Sequence, residues 1–222
     1  MPDRARTATP THVSLWPMDI ALAVLSLLGT AVFAASGALV AAEQKMDVVG
    51  AVFLSIAAGM GGGTIVDLLI GVDVRWLTSP EPLWVAVASA IVTFEAVRFA
   101  SPPAKTLLWA DALGLALFTA TGTQRLVSLD LDPAVTVFLT VIGASGGGIV
   151  RDVLANRVPL VFSSETELYV TAALLGALVY YAVKLVGLDD GWALAAALTV
   201  TMVTRSLAIV FTLRLPPGRI RN

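Results

Sequence analysis

Cysteine is absent from the 222 residues, and the one histidine, His12, lies in a polar stretch near the N-terminus. Disulfides, thiolate nucleophiles, imidazole bases and cysteine- or histidine-rich zinc sites are therefore excluded. Charge is also scarce: 14% of residues are Asp, Glu, Lys or Arg, whereas 57% are hydrophobic. A soluble domain of this size needs a charged shell that the composition does not supply. The formal net charge is −2 and no basic arm is interleaved with aromatics, so a nucleic-acid partner is excluded. No credible pair of nucleophile and base remains, nor a cofactor motif, so the chain is not expected to be an enzyme or to hold a cofactor or a tightly bound metal.

What is present is a series of apolar runs of membrane-spanning length. They fall at Asp19–Ala42, Val48–Gly71, Leu83–Ala100, Leu107–Gln124, Pro133–Arg157, Leu168–Gly187 and Trp192–Leu215. Short turn-rich gaps such as Ser101-Pro102-Pro103, Asp130-Leu131-Asp132-Pro133 and Ser163-Ser164-Glu165 separate them. Trp16, Trp76, Trp84, Trp109 and Trp192 fall near run ends, where an indole prefers the headgroup layer. The expectation is an all-α integral membrane protein with seven transmembrane helices. Residues 1–18 form a polar N-terminal tail, 19–215 a single transmembrane domain and 216–222 a C-terminal tail. Outside the runs' interiors, five Lys or Arg fall on the N-terminal side and seven on the other, which places the C-terminus in the cytoplasm.

A shift of 85 residues aligns Leu28–Leu69 with Leu113–Leu154 without a gap. Gly29, Phe33 and Gly37 fall on Gly114, Phe118 and Gly122, and Asp67 falls on Asp152. Gly61, Gly62 and Gly63 fall on Gly146, Gly147 and Gly148. Because each unit holds three spans, the second enters the membrane inverted relative to the first. Repeat one is 19–100, repeat two is 107–187, and the seventh helix, 192–215, stands outside.

Three consecutive glycines weaken a helix by about 1 kcal/mol each relative to Ala, so the second and fifth spans are expected to break at the triplets. A break at that depth is tolerated only where protein covers it or where it lines a watered cavity. The rival reading is that the glycines let two helices approach closely. Asp67, Arg151 and Asp152 follow one turn later, and charges at membrane depth mark an ion or substrate path, or an ion pair locking the repeats. Val66 stands where the second repeat has Arg151. The expected site therefore joins one arginine to two aspartates, with charge −1, and suits a cation. Thr64 and Ser145 add hydroxyls beside the triplets. Asp111 and Arg205 are further charges within spans, Arg205 with either a functional or a helix-locking role.

The stretches Gly-Thr-Ala-Val-Phe-Ala-Ala-Ser-Gly at 29–37, Gly-Gly-Gly-Thr-Ile-Val-Asp at 61–67, Asp-Ala-Leu-Gly-Leu-Ala-Leu-Phe at 111–118 and Gly-Gly-Gly-Ile-Val-Arg-Asp-Val-Leu-Ala-Asn-Arg-Val-Pro-Leu-Val-Phe at 146–162 resemble the prokaryotic trimeric intracellular cation channel family. The resemblance implies a homotrimer in the bacterial inner membrane with one pore per protomer, conducting monovalent cations, chiefly potassium. Its helices two and five would be kinked at the triplets, and membrane lipids and a second and third copy of the chain would be its partners. The ion path would then include Gly61, Gly62, Gly63, Thr64, Asp67, Ser145, Gly146, Gly147, Gly148, Arg151 and Asp152, with Arg151 limiting passage. The family's usual arginine before the first-repeat aspartate is replaced by Val66. A secondary transporter for glycine or a similar zwitterion is the alternative, since inverted repeats serve transporters equally well.

Overall fold

The computed structural model describes residues 17–162 and 168–213. The stretch 1–16, the Ser163-Ser164-Glu165 connection and the C-terminal tail 216–222 lie outside the described residues. The described chain is helical: α1 (Pro17–Glu43), α2 (Val48–Leu69), a one-turn α3 (Arg75–Thr78), α4 (Glu81–Phe99), α5 (Thr106–Val127), α6 (Pro133–Leu154), a 3-10 turn (Leu160–Phe162), α7 (Tyr169–Leu185) and α8 (Asp190–Phe211).

Helix starts are set by aspartates that accept from the otherwise unpaired first amides. Asp47 takes Gly50 N at 2.7 Å, Asp132 takes Ala134 N at 2.8 Å, and Asp189 takes Trp192 N at 3.1 Å. The ends of α2 and α7 are closed by left-handed residues, Gly71 (φ 71°) and Gly187 (φ 82°), where the absence of Cβ removes the steric cost.

Five helices, α1, α2, α4, α6 and α8, are long and apolar enough to cross a membrane by length and composition. The other two of the seven expected spans differ for physical reasons. Helix α7 has 17 residues, and α5 carries Asp111, Gln124, Arg125 and four threonines. Helix α5 tolerates them because it packs between α1, α6, α7 and α8, with Asp111, Thr119, Thr121, Thr123 and Gln124 all buried.

The expected breaks at the glycine triplets are not seen: α2 and α6 are continuous α-helices through Gly61–Gly63 and Gly146–Gly148. Close helix approach accounts for the glycines instead. The helices cross antiparallel, and a Cβ on Gly62 would run into the Gly143 carbonyl, while one on Gly147 would run into the Ala58 carbonyl. Helix propensity lost at these positions is offset by backbone contact that no larger residue permits.

These contacts come in pairs related by the 85-residue shift. Gly62 meets residue 143 and Gly147 meets residue 58. Phe33 and Phe118 stack at 5.6 Å and 16°, and each ring lies over the other repeat's glycine, Gly114 or Gly29. Asp67 and Asp152 each accept a main-chain N–H eight residues later, from Arg75 and Leu160, both at 3.1 Å.

The α2–α6 crossing predicts contrasting effects within one triplet. Gly62→Ala and Gly147→Ala should each destabilise the protein by about 1–3 kcal/mol through overpacking. Gly63→Ala, whose Cβ meets nothing within 4 Å, should be neutral or slightly stabilising. Thermal unfolding of the three variants in detergent checks the contrast.

Candidate functional site

Because α2 and α6 run antiparallel, Asp67 and Asp152, each in the last turn of its helix, lie at opposite ends of the crossing. The two ends solve the same problem, a buried carboxylate, differently.

At the Asp152 end, the cation is the neighbour in sequence. Arg151 donates from Nε to Asp152 Oδ1 at 2.8 Å and from Nη1 to Asp111 Oδ1 at 2.7 Å and Ser36 Oγ at 2.8 Å. Ser36 in turn donates to the Phe33 carbonyl at 2.7 Å. The Arg151 side chain is 0% exposed and its two carboxylates no more than 3%. The Tyr169 hydroxyl bonds to Asp111, and Arg205 lies over the Tyr169 ring at 4.9 Å, a cation–π distance. Residues of α1, α5, α6, α7 and α8 are thus joined through one guanidinium and its surroundings. Gly148 leaves the room for it, with Asp111 Oδ1 and Arg151 Nη2 within 4 Å of where its Cβ would be.

At the Asp67 end, Val66 offers no charge and the cation comes from α5. Arg125 Nη1 pairs with Asp67 Oδ1 at 2.5 Å. The other oxygen, Oδ2, accepts the Arg75 main-chain N–H. Thr64 donates to the Met60 carbonyl at 2.9 Å and accepts from Trp76 Nε1 at 3.0 Å. The Arg75–Asp67 and Trp76–Thr64 bonds fix α3 against α2.

Open space accompanies this end. A cavity of about 480 Å³ is lined by Ser26, Thr30, Gly63, Thr64, Asp67 and Trp76, among others. A second, of about 500 Å³, is lined by Thr121, Gln124, Arg125, Ser128, Tyr180 and Asp190. A narrow space of about 60 Å³, the neck, is bordered by Gly63, Thr121, Arg125 and Thr140 and shares lining residues with both larger cavities. The Thr140 hydroxyl has no protein partner. Arg75 borders all three spaces. Its pKa is lowered, first by burial and then by the charge of Arg125, with Asp67 opposing.

The expected union of Arg151 with both aspartates is therefore not formed. Arg151 lines none of these cavities, and the charged groups beside them are Asp67, Glu81 and Asp190 with Arg75 and Arg125, a sum of −1 made by other residues than those expected. Of the triplet residues, Gly61 touches Val150, Gly146 lies over Gly62, and Gly63 alone opens on the cavities. Ser145 donates to its own helix at Val141, 2.6 Å away. Arg75 and Arg125 were counted in the sequence only as charges at the ends of runs. The signal that pointed to them was Val66: an Asp67 without an adjacent arginine needs a cation from elsewhere.

A family model described as glycine transporter matches residues 23–98 and 108–184. The UPF0126 inner membrane protein YadS of Escherichia coli K12 is 36% identical over 200 residues, covering 86% of this chain and 93% of its own. The UPF0126 membrane protein YvgT of Bacillus subtilis 168 is 35% identical over 199 residues, with 87% and 94% covered. The solved TRIC trimeric intracellular cation channel orthologue from Rhodobacter sphaeroides matches with a TM-score of 0.82 at 34% identity, over 87% of this chain and 99% of its own. A second TRIC cation channel structure matches with a TM-score of 0.79 at 32% identity, over 90% and 98%. The chain belongs to the prokaryotic TRIC family. Like YadS, it is a multi-pass inner membrane protein. The two stretches matched by the family model fall within 19–100 and 107–187.

In this TRIC-family chain the Arg151 network is the more costly to disturb. Arg151→Met leaves Asp111 and Asp152 buried without their cation and should cost about 3–5 kcal/mol. Asp67→Asn, beside an open cavity, should cost less than half as much. Thermal unfolding in detergent reads both.

Proposed function

We propose that the chain is a cation channel of the bacterial inner membrane, permeable to monovalent cations and chiefly potassium, with one path in each protomer of a homotrimer. The observation that carries this reading is a set of three spaces, a narrow neck and two larger cavities, that share Arg75 in their linings, with Asp67 lining the first of the larger two. The described TRIC structures, whose descriptions name cation channels, support it. Helices α5 and α7 cross the bilayer with the other five, repeat one (19–100) and repeat two (107–187) lie inverted about the α2–α6 crossing, and the helix within 192–215 completes the domain. The C-terminus faces the cytoplasm. Lipids cover the exposed apolar faces, such as Phe53, Val92 and Phe138.

On this reading Asp67 raises the local cation concentration, and hydroxyls of Thr64, Thr30 and Thr140 replace part of the hydration shell as an ion enters the neck. The carbonyls of the glycine triplets stay committed to helical hydrogen bonds, so they are not the coordinating groups. Gly63 contributes space instead. Passage through the whole membrane also requires the Arg151 end to open, because that end is filled by the guanidinium and its partners.

A second reading, a glycine transporter, is favoured by the family model's description and by chemistry: Asp67 suits an ammonium, and Arg75, in the same cavity, suits a carboxylate. Flux separates the two. Purified protein in planar bilayers under a potassium chloride gradient should give discrete currents reversing near the potassium equilibrium potential, with no saturable glycine uptake into proteoliposomes. Asp67→Asn should lower the potassium conductance about two- to fivefold, the effect of removing one charge beside a hydrated path. Silent bilayers with saturable uptake would replace the channel by the transporter.

A further inference from the structure

Two arginines, Arg75 and Arg125, line the neck, and one of them is paired: Arg125 bonds Asp67, which lines the first of the larger cavities. The other, Arg75, has no ion pair to its guanidinium among the described residues. It borders the neck and both larger cavities. It is also held there by its backbone rather than by its charge. The Arg75 N–H is bonded to Asp67 and the adjacent Trp76 indole to Thr64, while the four-residue α3 that carries them is entered after Gly71 (φ 71°) and left before Pro80. The corresponding position in repeat two is Leu160, which makes the same main-chain bond to Asp152 without a charge. The symmetric scaffold therefore explains the backbone bond but not the arginine.

We infer that Arg75 is a tethered cation that occupies the neck and holds back permeant cations, with α3 as a one-turn plug latched to α2 through Asp67 and the Trp76–Thr64 bond. This rests on the cation-channel reading and deepens it. A fixed guanidinium acts as a resident ion: its field opposes a second cation within a few ångströms unless it moves or is neutralised. Movement of the short α3 breaks two hydrogen bonds and leaves the α2–α6 crossing untouched. Asp67 then has two roles, attracting the permeant ion and holding the group that excludes it.

The absence of cysteine makes a direct test possible, because Arg75→Cys has a single thiol. Potassium currents are recorded in planar bilayers from the unchanged protein, from Arg75→Gln and from Arg75→Cys. The Arg75→Cys channels are then exposed, in the same bilayer, to methanethiosulfonate reagents of similar size bearing a trimethylammonium or a sulfonate. Removal of the charge in either variant should raise the potassium current about five- to tenfold. The ammonium reagent should return it toward the level of the unchanged protein, and the sulfonate should not. Equal currents in all three proteins, or equal effects of the two reagents, would overturn the tethered cation while leaving the channel reading in place. Absence of any cation current from all three, with saturable glycine uptake, would overturn both.

Discussion

The approach of α2 to α6 at Gly62 and Gly147 is the constraint from which the other features follow. Each glycine places its Cα against a backbone carbonyl of the facing helix, which fixes the register of the crossing more tightly than interdigitated side chains do. In lipid there is no hydrophobic drive to hold two apolar helices together, so close van der Waals contact of this kind carries association. With the register fixed and the helices antiparallel, the two aspartates that follow the triplets are forced to opposite ends. A single centre joining them is geometrically excluded. Each carboxylate then needs its own cation, and the location of that cation decides which end is filled and which is open.

At the Arg151 end the cation precedes the aspartate in sequence and is drawn inward, where Asp111, Ser36 and Asp152 take its hydrogens. The desolvation cost of such a group is met only because charged partners surround it, and the space is consumed. At the Asp67 end Val66 is apolar and buried, and Arg125 reaches across from α5 near the helix end, its side chain 22% exposed. That leaves space along α2 near Gly63 and Thr64. One substitution between repeats, valine for arginine, is thus tied to the difference between a filled end and a cavity-bearing one. The asymmetry arises within a scaffold whose backbone contacts remain paired by the repeat.

The helical class, the positions of the runs and the pairing of residues across 85 positions were legible because they depend on periodic, local information. So was the burial of Asp67, Asp111, Arg151, Asp152 and Arg205, since charge within an apolar run has few other interpretations. The continuity of α2 and α6 was not legible. A glycine triplet weakens a helix by propensity, but whether it breaks depends on what faces it, and Gly143 and Ala58 lie far away in sequence. The same holds for Arg125, 58 positions beyond Asp67, and for Arg75, which α3 folds back over α2. Ion-pair partners across helices are tertiary facts, and only the missing arginine at position 66 hinted at them.

Two arginines lining the neck of a proposed cation path are less contradictory than they first seem. Selective conduction needs a site that attracts an ion without retaining it, and a lone buried aspartate would bind a cation too firmly or take up a proton. Pairing Asp67 with Arg125 softens its field, and where water screens them, charges about 4 Å apart interact by on the order of 1 kcal/mol rather than by the much larger values of a dry interior. The balance among the three groups is therefore small enough to be tipped by movement of one side chain. Arg125 is anchored by the α5 helix and by its carboxylate, whereas Arg75 is carried on a single turn held by two hydrogen bonds. The group with the weakest attachment and the widest contact with the cavities is the one able to set whether a cation meets net repulsion or net attraction at the neck.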